Sequence, residues 1–368
     1  MRIAVHAKMM SEERLNGMGY YTYNLLRALA AIDPKNTYDL YSSHEFRHRV
    51  AAKNFHEKVL GPPRFWMTYL AFTRELLNDP HDVVFVPHEK LPFFVGGKKV
   101  LTAYDLHALK DYFGSPVTLT AKLHFLIAIK SAFKRADKIL AISEATKKSV
   151  VEIAGVEPDK VIVTPLGYDK LLYKIYGNDE KDAVKKKYSL DRPFVINTSS
   201  LLWYRKNIPR IIQAYGRSKF RKDFMLVITG KKGMAYDEVV GEIRRLGLVR
   251  DVVLLGYIPI EDMPRLLASA SALMFPSLHE GFGLPIVEAF ACGCPVITSN
   301  VSSMPEVAGD AAMLVDPKDV DGIAHALDKL LDDTTLAEGL RLKGIERAKG
   351  FSWEKTAQET LKVFEGLV

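Results

Sequence analysis

A chain of 368 residues, 26% charged and 48% hydrophobic, is longer than one ordinary domain and composed like a soluble globular protein. Disordered and fibrous classes are excluded, and two cysteines exclude a disulfide scaffold. Lys and Arg number 51 and Asp and Glu 44, a net charge of 51 − 44 = +7, which suits nucleic acid, an anionic membrane or a phosphorylated substrate without choosing among them. Cys292 and Cys294 have no further cysteine to complete a zinc site and read as small buried residues.

The N-terminus is too poor in apolar residues for a signal peptide, and no run of about 18 apolar residues exists to span a membrane. The expected location is therefore cytoplasmic. Short β-rich runs alternate with helical patterns along the chain. The expected strands are Ile3–Ala7, Tyr38–Tyr41, Val83–Val86, Val100–Ala103 and Lys138–Ile142, then Phe194–Thr198, Phe224–Thr229, Val252–Leu255, Ala272–Phe275 and Val296–Thr298. Helical patterns between them include Tyr20–Ile32, Leu119–Ala136, Asn207–Arg217 and Pro285–Ala291. Strands alternating with helices imply an α/β fold with parallel sheets covered on both faces. The alternation breaks at the polar stretch Tyr168–Leu190 and restarts. This predicts two Rossmann-like, doubly wound domains, residues 1–172 and 173–351. Ligands of such sheets sit beyond the carboxyl ends of the strands, so the functional residues belong in the loops after them.

Three such loops carry unusual residues. After the first strand comes Asn16-Gly17-Met18-Gly19-Tyr20, where glycines let the backbone approach a ligand at a helix start. The motif lacks the third glycine of a dinucleotide fingerprint, so NAD binding is not supported. After the first strand of the second half comes Ser199-Ser200-Leu201-Leu202-Trp203-Tyr204-Arg205-Lys206-Asn207. An adjacent Arg and Lys there can hold a diphosphate, one by its planar fork and the other as a point charge, or can be a plain surface pair. The densest is His279-Glu280-Gly281-Phe282-Gly283-Leu284-Pro285-Ile286-Val287-Glu288. Gly281 and Gly283 free backbone amides before a helix, and Pro285 fits its first turn. Glu288 falls one turn inside an otherwise apolar helix, where a carboxylate without partners is unfavourable by several kcal/mol as an order of magnitude. A ribose diol is one partner that would satisfy it; an ordinary salt bridge is another.

These stretches resemble a retaining GT-B glycosyltransferase of glycosyltransferase family 4. HEGFGLPIVEAFACGCPVITSNVSSMPEVAGDAAMLVDP is similar to that family's region of two glutamates seven residues apart. NGMGYYTYNLLRAL, SEATKKSVVEIAGVEPDKVIVTPLGYD, SLLWYRKNIPRIIQAY, LLGYIPIEDMPRLLASASALMFPS and FSWEKTAQETLKVFEGL extend the resemblance over nearly the whole chain. It implies that the second domain binds a nucleotide-diphosphate sugar and the first an acceptor, with a last helix, within 352–368, crossing back to the first domain. It implies roles at the diphosphate for Arg205 and Lys206, and at the ribose hydroxyls for Glu288. Glu280, with the amides of Phe282, Gly283 and Leu284, matches the group at the donor sugar and phosphates. Gly17 and Gly19 match the glycine loop near the phosphates, and Tyr257 and Ile258 the segment beside the base. Ser200, Gly230 and Gly281 complete the expected donor-binding set. The family commonly carries a His-Asp pair in the loop after the Val100 strand. Here Tyr104 stands in the histidine's place and His107 three positions on, so that role passes to Tyr104, to His107 or to neither.

The implied reaction is transfer of a hexosyl group, of mannose or glucose type, from a GDP- or UDP-sugar to a hydroxyl of a glycan, glycolipid or small acceptor in cell-surface polysaccharide or lipopolysaccharide synthesis. No cofactor is implied, and no metal, since the only Asp-x-Asp, Asp319-Val320-Asp321, lies in a helical pattern. Arg47, His48, Arg49, Lys53, His56 and Lys58 form a basic stretch ahead of the aromatic run Arg64–Phe72. That pairing suits peripheral contact with an anionic leaflet and a lipid-linked acceptor. No RNA-recognition or helix-turn-helix signature accompanies the charge, so nucleic acid is not expected. Two rival classes share the fold, a nucleotide-sugar epimerase and a non-catalytic sugar-nucleotide binding protein.

Overall fold

The apolar runs pair as parallel strands in two separate sheets. In the computed structural model, which describes residues 1–61, 67–92, 94–106, 119–199 and 204–368, the chain divides into Met1–Gly167 with Ser352–Val368, and Tyr168–Phe351. The first unit holds β1 (Arg2–His6), β2 (Thr37–Ser42), β3 (Phe55–Val59), β4 (Val83–Val86), β5 (Lys98–Ala103), β6 (Lys138–Ala141) and β7 (Val161–Val163). Their order is β3-β2-β1-β4-β5-β6-β7, all parallel. Helices α1 (Gly17–Ile32), α2 (Met67–Asn78), α3 (Leu119–Arg135) and α4 (Glu144–Ala154) pack with this sheet. Strand residues such as Val84, Leu101 and Ile139 meet Phe72 and Leu76 of α2, Phe133 of α3 and Val150 of α4 in one core. The C-terminal helix Trp353–Glu365 returns to this unit, where the Trp353 ring packs edge-on to Tyr20 and Tyr21, and Phe364 packs on Phe85.

The second unit holds β8 (Phe194–Asn197), β9 (Met225–Thr229), β10 (Val252–Gly256), β11 (Ala272–Phe275), β12 (Val296–Ser299) and β13 (Met313–Val315) in the order β10-β9-β8-β11-β12-β13. All its pairings are parallel. The helices are α5 (Asn178–Lys187), α6 (Ile208–Arg217), α7 (Tyr236–Arg245), α8 (Met263–Ser269), α9 (Leu284–Ala291), α10 (Met304–Ala308), α11 (Val320–Asp332) and α12 (Thr334–Ala348). Helix α6 shows the sequence logic well: Ile208, Ile211, Ile212 and Tyr215 recur at helical spacing and are all buried against the sheet.

The division falls at Gly167/Tyr168, ahead of the expected 172/173. The stretch read as a polar break belongs to the second unit. Its charged residues cover α5, while Tyr168, Tyr173, Tyr176 and Val184 are buried. The basic stretch also needs correction. Lys58 sits on β3 and bonds to Tyr41 (3.1 Å) and Asp79 (3.0 Å), so it serves the fold; Arg47, Lys53 and His56 remain exposed.

Candidate functional site

In each sheet one pair of neighbouring strands sends its chain off in opposite directions, and a crevice opens there. In the second unit that pair is β8 and β11. The loop after β8 carries Arg205 and Lys206; the loop after β11 carries Glu280 and runs into α9. Buried polar side chains tie the two loops together. Asn197 at the end of β8 donates to the Met274 carbonyl on β11 (2.7 Å) and accepts from the Ser199 amide (3.1 Å). Asn207 is held at φ 60° and donates to the carbonyls of Pro276 (2.8 Å) and Pro317 (2.6 Å). The Leu278 amide donates to the Arg205 carbonyl at 2.8 Å.

The three charged groups meet as a result. Arg205 Nη1 lies 2.8 Å from Glu280 Oε2 and 3.0 Å from the His279 carbonyl. Lys206 Nζ lies 2.6 Å from Glu280 Oε1 and over the Phe275 ring. Burial pushes the Glu280 carboxyl up, but Lys206 and Arg205 outweigh it and hold the group below the ordinary glutamate range. The trio therefore carries two positive charges and one negative in a half-buried setting. The Glu280 backbone is fixed as firmly. Ser302 Oγ donates to its carbonyl at 2.6 Å, and Ser303 Oγ lies 2.9 Å from that carbonyl and 2.8 Å from that of Phe282.

Helix α9 starts at this point. Its cap, Gly283, sits at φ 99°, a conformation that favours glycine, and Pro285 occupies the first turn. Gly281 and Phe282 are buried and Leu284 is half-buried in the turn that follows Glu280. Phe282 packs edge-on to Phe351. One turn along, Glu288 is partly buried; burial raises its carboxyl to about 7, against a hydrogen bond from Tyr173 that lowers it. Gly230 follows β9 at φ 115°, its amide donating to the Gly256 carbonyl at the end of β10 (2.6 Å). Beyond Gly256, Tyr257 is exposed with Lys231 near its ring, and Ile258 is buried. Arg205, Lys206, Gly230, Tyr257, Ile258 and Glu280–Leu284 thus all lie at the carboxyl edge of one parallel sheet. Ser200 and His107 lie outside the described residues.

In the first unit, Asn16 caps α1 by accepting from the Gly19 amide (2.9 Å). A side chain at Gly17 would meet open space, whereas one at Gly19 would come within 3.0 Å of Leu15. Tyr104 donates its hydroxyl to the Pro87 carbonyl (2.9 Å), and its ring packs edge-on to Tyr21. Its phenol is therefore already engaged inside this unit.

Sequence reasoning passed over a second pair at the switch between β1 and β4. His88 Nδ1 accepts from the Lys90 amide (3.1 Å), so its Nε2 carries the proton and donates to His6 Nδ1 (2.9 Å). Burial keeps both rings neutral, pulling His6 down to about 4 and His88 well below the usual histidine range. The only signal was position: His6 lies near the end of an expected strand and His88 follows one. Among the described residues, Asp39, Asp79 and His81 also approach as metal ligands would, within 4.8 Å. Their carboxylates are paired with Arg2 and Lys58, which makes the cluster an ion-pair network near the amino end of β1.

Comparison with known proteins agrees with this geometry. The family model for glycosyl transferases group 1 matches residues 178–349, and that for glycosyltransferase family 4 matches residues 15–170. The O-antigen chain mannosyltransferase B of Escherichia coli is 35% identical over 244 residues, which is 65% of this chain and 63% of the relative. The alignment thus spans a little under two thirds of that protein. Among solved structures, sucrose-phosphate synthase from Thermosynechococcus elongatus superposes with a TM-score of 0.79 at 20% identity, covering 100% of this chain and 98% of the other. Anabaena Alr3699/HepE, solved with UDP and glucose, gives 0.79 at 17% identity with both chains fully covered. With both halves matched by family models and both sheets of this topology, the chain belongs to glycosyltransferase family 4 and has the GT-B fold.

Proposed function

We propose that the protein is a retaining glycosyltransferase that moves a hexosyl group, mannose or glucose in type, from a GDP- or UDP-sugar to a hydroxyl of a glycan, glycolipid or small acceptor, in cell-surface polysaccharide or lipopolysaccharide synthesis. The observation that carries this is the Arg205–Lys206–Glu280 trio at the β8/β11 switch, beside the first turn of α9. Mannose is favoured by the name of the 35% identical relative. As the glycosidic bond breaks, negative charge grows on the leaving phosphate, and fixed cations with oriented amides stabilise that charge. Glu280 fixes both cations before substrate arrives, which limits reorganisation during the reaction. Glu288 then accepts from the ribose hydroxyls, the second unit holds the donor, and the first presents the acceptor.

The test is incubation with GDP-mannose and UDP-glucose, with and without glycan acceptors, with product anomers read by NMR and a parallel series in excess EDTA. Transfer with retained configuration, insensitive to EDTA, is expected. Epimerised sugar nucleotide in the absence of acceptor would favour the epimerase class. Tight donor binding without transfer would favour the non-catalytic class. Loss of transfer in EDTA, restored by magnesium or manganese, would show that side chains alone do not neutralise the phosphates.

The same reading includes peripheral contact with an anionic leaflet. Leu70, Arg74 and Leu77 are exposed on one face of α2, as an interfacial helix would display them. No helix among the described residues is long and apolar enough to cross a membrane. Co-sedimentation with vesicles containing anionic lipid should be weak and should fall as salt rises. Indifference to vesicle charge would remove this part of the proposal.

A further inference from the structure

The carboxyl edge of the first sheet holds a carboxylate for which the donor chemistry has no use. Glu89 lies three residues beyond β4, next to the switch between β1 and β4. Its Oε1 accepts from the amide of Tyr104, the residue that follows β5, at 3.1 Å. The chain on either side of Glu89 is fastened. The His88 amide donates to the Val86 carbonyl (2.8 Å), which closes the turn out of the strand. The Pro87 carbonyl accepts from the Tyr104 hydroxyl (2.9 Å), His88 donates to His6 (2.9 Å), and the Lys90 amide donates to His88 Nδ1 (3.1 Å). Tyr104 is held in turn, its carbonyl accepting from Thr146 Oγ1 (2.8 Å) and its ring packing on Tyr21. Glu89 is therefore placed both by its neighbours and by one of its own oxygens.

The fold does not need a charge there. Glu89 is half-buried, and no cation among the described residues pairs with it. Burial raises its carboxyl above the ordinary glutamate range. A glutamine would hold the Tyr104 amide as well, without the cost of partly desolvating a carboxylate. A charge kept at that cost, on the edge where ligands of such sheets sit, answers to a hydrogen-bond donor from outside the chain. The groups beside it are neutral: His6 and His88 are kept uncharged by burial, and Tyr104 carries a phenol. Such surroundings suit an uncharged ligand rich in hydroxyls, since each hydroxyl can donate to a carboxylate oxygen.

We propose that Glu89 binds the acceptor, its carboxylate accepting a hydrogen bond from a hydroxyl of the acceptor sugar and orienting that sugar on the first unit. This rests on the reading above that the first unit presents a glycan acceptor, and adds the residue that holds it.

The experiment follows transfer from GDP-mannose and UDP-glucose to octyl α-D-mannopyranoside, octyl α-D-glucopyranoside and their monodeoxy forms, for the wild type, Glu89→Gln and Glu89→Ala. Each deoxy form is read as a substrate or, where it lacks the reacting hydroxyl, as a competitive inhibitor. Glu89→Gln keeps an oxygen for the Tyr104 amide, so Tm should hold and GDP and UDP should bind as they do to the wild type. KM for acceptor should rise about tenfold, the loss expected for a hydrogen bond to a charged group, while KM for donor stays. One deoxy form should bind the wild type about tenfold more weakly than its parent, and Glu89→Gln should not tell that form from the parent. Glu89→Ala, which buries no unpaired polar group of its own, should be blind to the same form. Equal weakening of every glycoside would mark a residue that only holds the Tyr104 loop and would overturn the proposal, as would unchanged acceptor kinetics in both variants. If the wild type cleaves neither donor, the transferase reading itself falls, and the acceptor role of Glu89 with it.

Discussion

Lys206→Ala should lower kcat at saturating donor by about 10²–10³, the cost of losing one preorganised group at a site of developing charge, roughly 3–4 kcal/mol. The diphosphate is anionic before reaction, so Lys206 contributes to donor binding. Further charge accumulates on the leaving phosphate as the bond breaks, so a fixed cation is worth more in the transition state than in the ground state. The structure adds a cost to the fold as well. Lys206 is one of two cations on Glu280, which is 6% exposed. Its removal leaves a buried carboxylate with Arg205 alone, at a cost of about 1–3 kcal/mol. Tm should then fall by roughly 2–4 °C for each kcal/mol in a unit of this size. The double variant Lys206→Met/Glu280→Gln separates the two effects. It removes the charge and the carboxylate that needed it, so Tm should recover while kcat stays low. A Lys206→Ala enzyme with wild-type kcat at saturating donor would show that Lys206 does not act at the leaving phosphate.

What could be read from the chain without coordinates follows from where the physics is local. Central strands such as Val83–Val86 and Ala272–Phe275 lie as expected, because strands buried on both faces are continuous apolar runs. The three strands that escaped notice are all at sheet edges: β3, β7 and β13. Two are three residues long, and β3 reads Phe-His-Glu-Lys-Val, whose charges mask it as a basic loop. Charged and short edge strands are how sheets avoid pairing with other chains, so the signal is weakest where the fold is most exposed. The site shows the same split. Arg205, Lys206, Glu280 and the glycines announce themselves by motif and position after strands. Their mutual pairing was not legible, since it depends on Asn197 and Asn207 joining two loops some 70 residues apart in sequence. Nor was the burial of Tyr173, because a tyrosine in a lysine-rich stretch gives no hint of it.

Gly167→Ala should be among the most damaging single-methyl additions in the protein. A Cβ at Gly167 would sit 2.1 Å from the Trp353 nitrogen, 2.4 Å from the Ser352 carbonyl carbon and 2.8 Å from the Trp353 Cα. All three are backbone atoms, so no rotamer change can relieve the contact. The backbone that would have to move is the start of the C-terminal helix, where Ser352 caps by accepting from the Lys355 amide (3.2 Å) and Thr356 Oγ1 lies 2.6 Å from the Pro165 carbonyl. Displacing it would also pull Trp353 from Tyr20 and Tyr21, and Phe364 from Phe85. Overpacking a tight site costs about 1–3 kcal/mol, and a rigid backbone obstacle puts this one at or above the top of that range. Tm should drop by roughly 6–12 °C, and amide exchange across Trp353–Glu365 should accelerate ahead of the rest of the first unit. Gly241→Ala is the counterpart. Its added methyl meets nothing within 4 Å and lies inside α7, so the same substitution should stabilise by about 0.5–1 kcal/mol. Calorimetry and hydrogen exchange on the two variants side by side decide the matter: a Gly167→Ala protein that melts with the wild type would mean that the returning helix does not pass this close to Gly167.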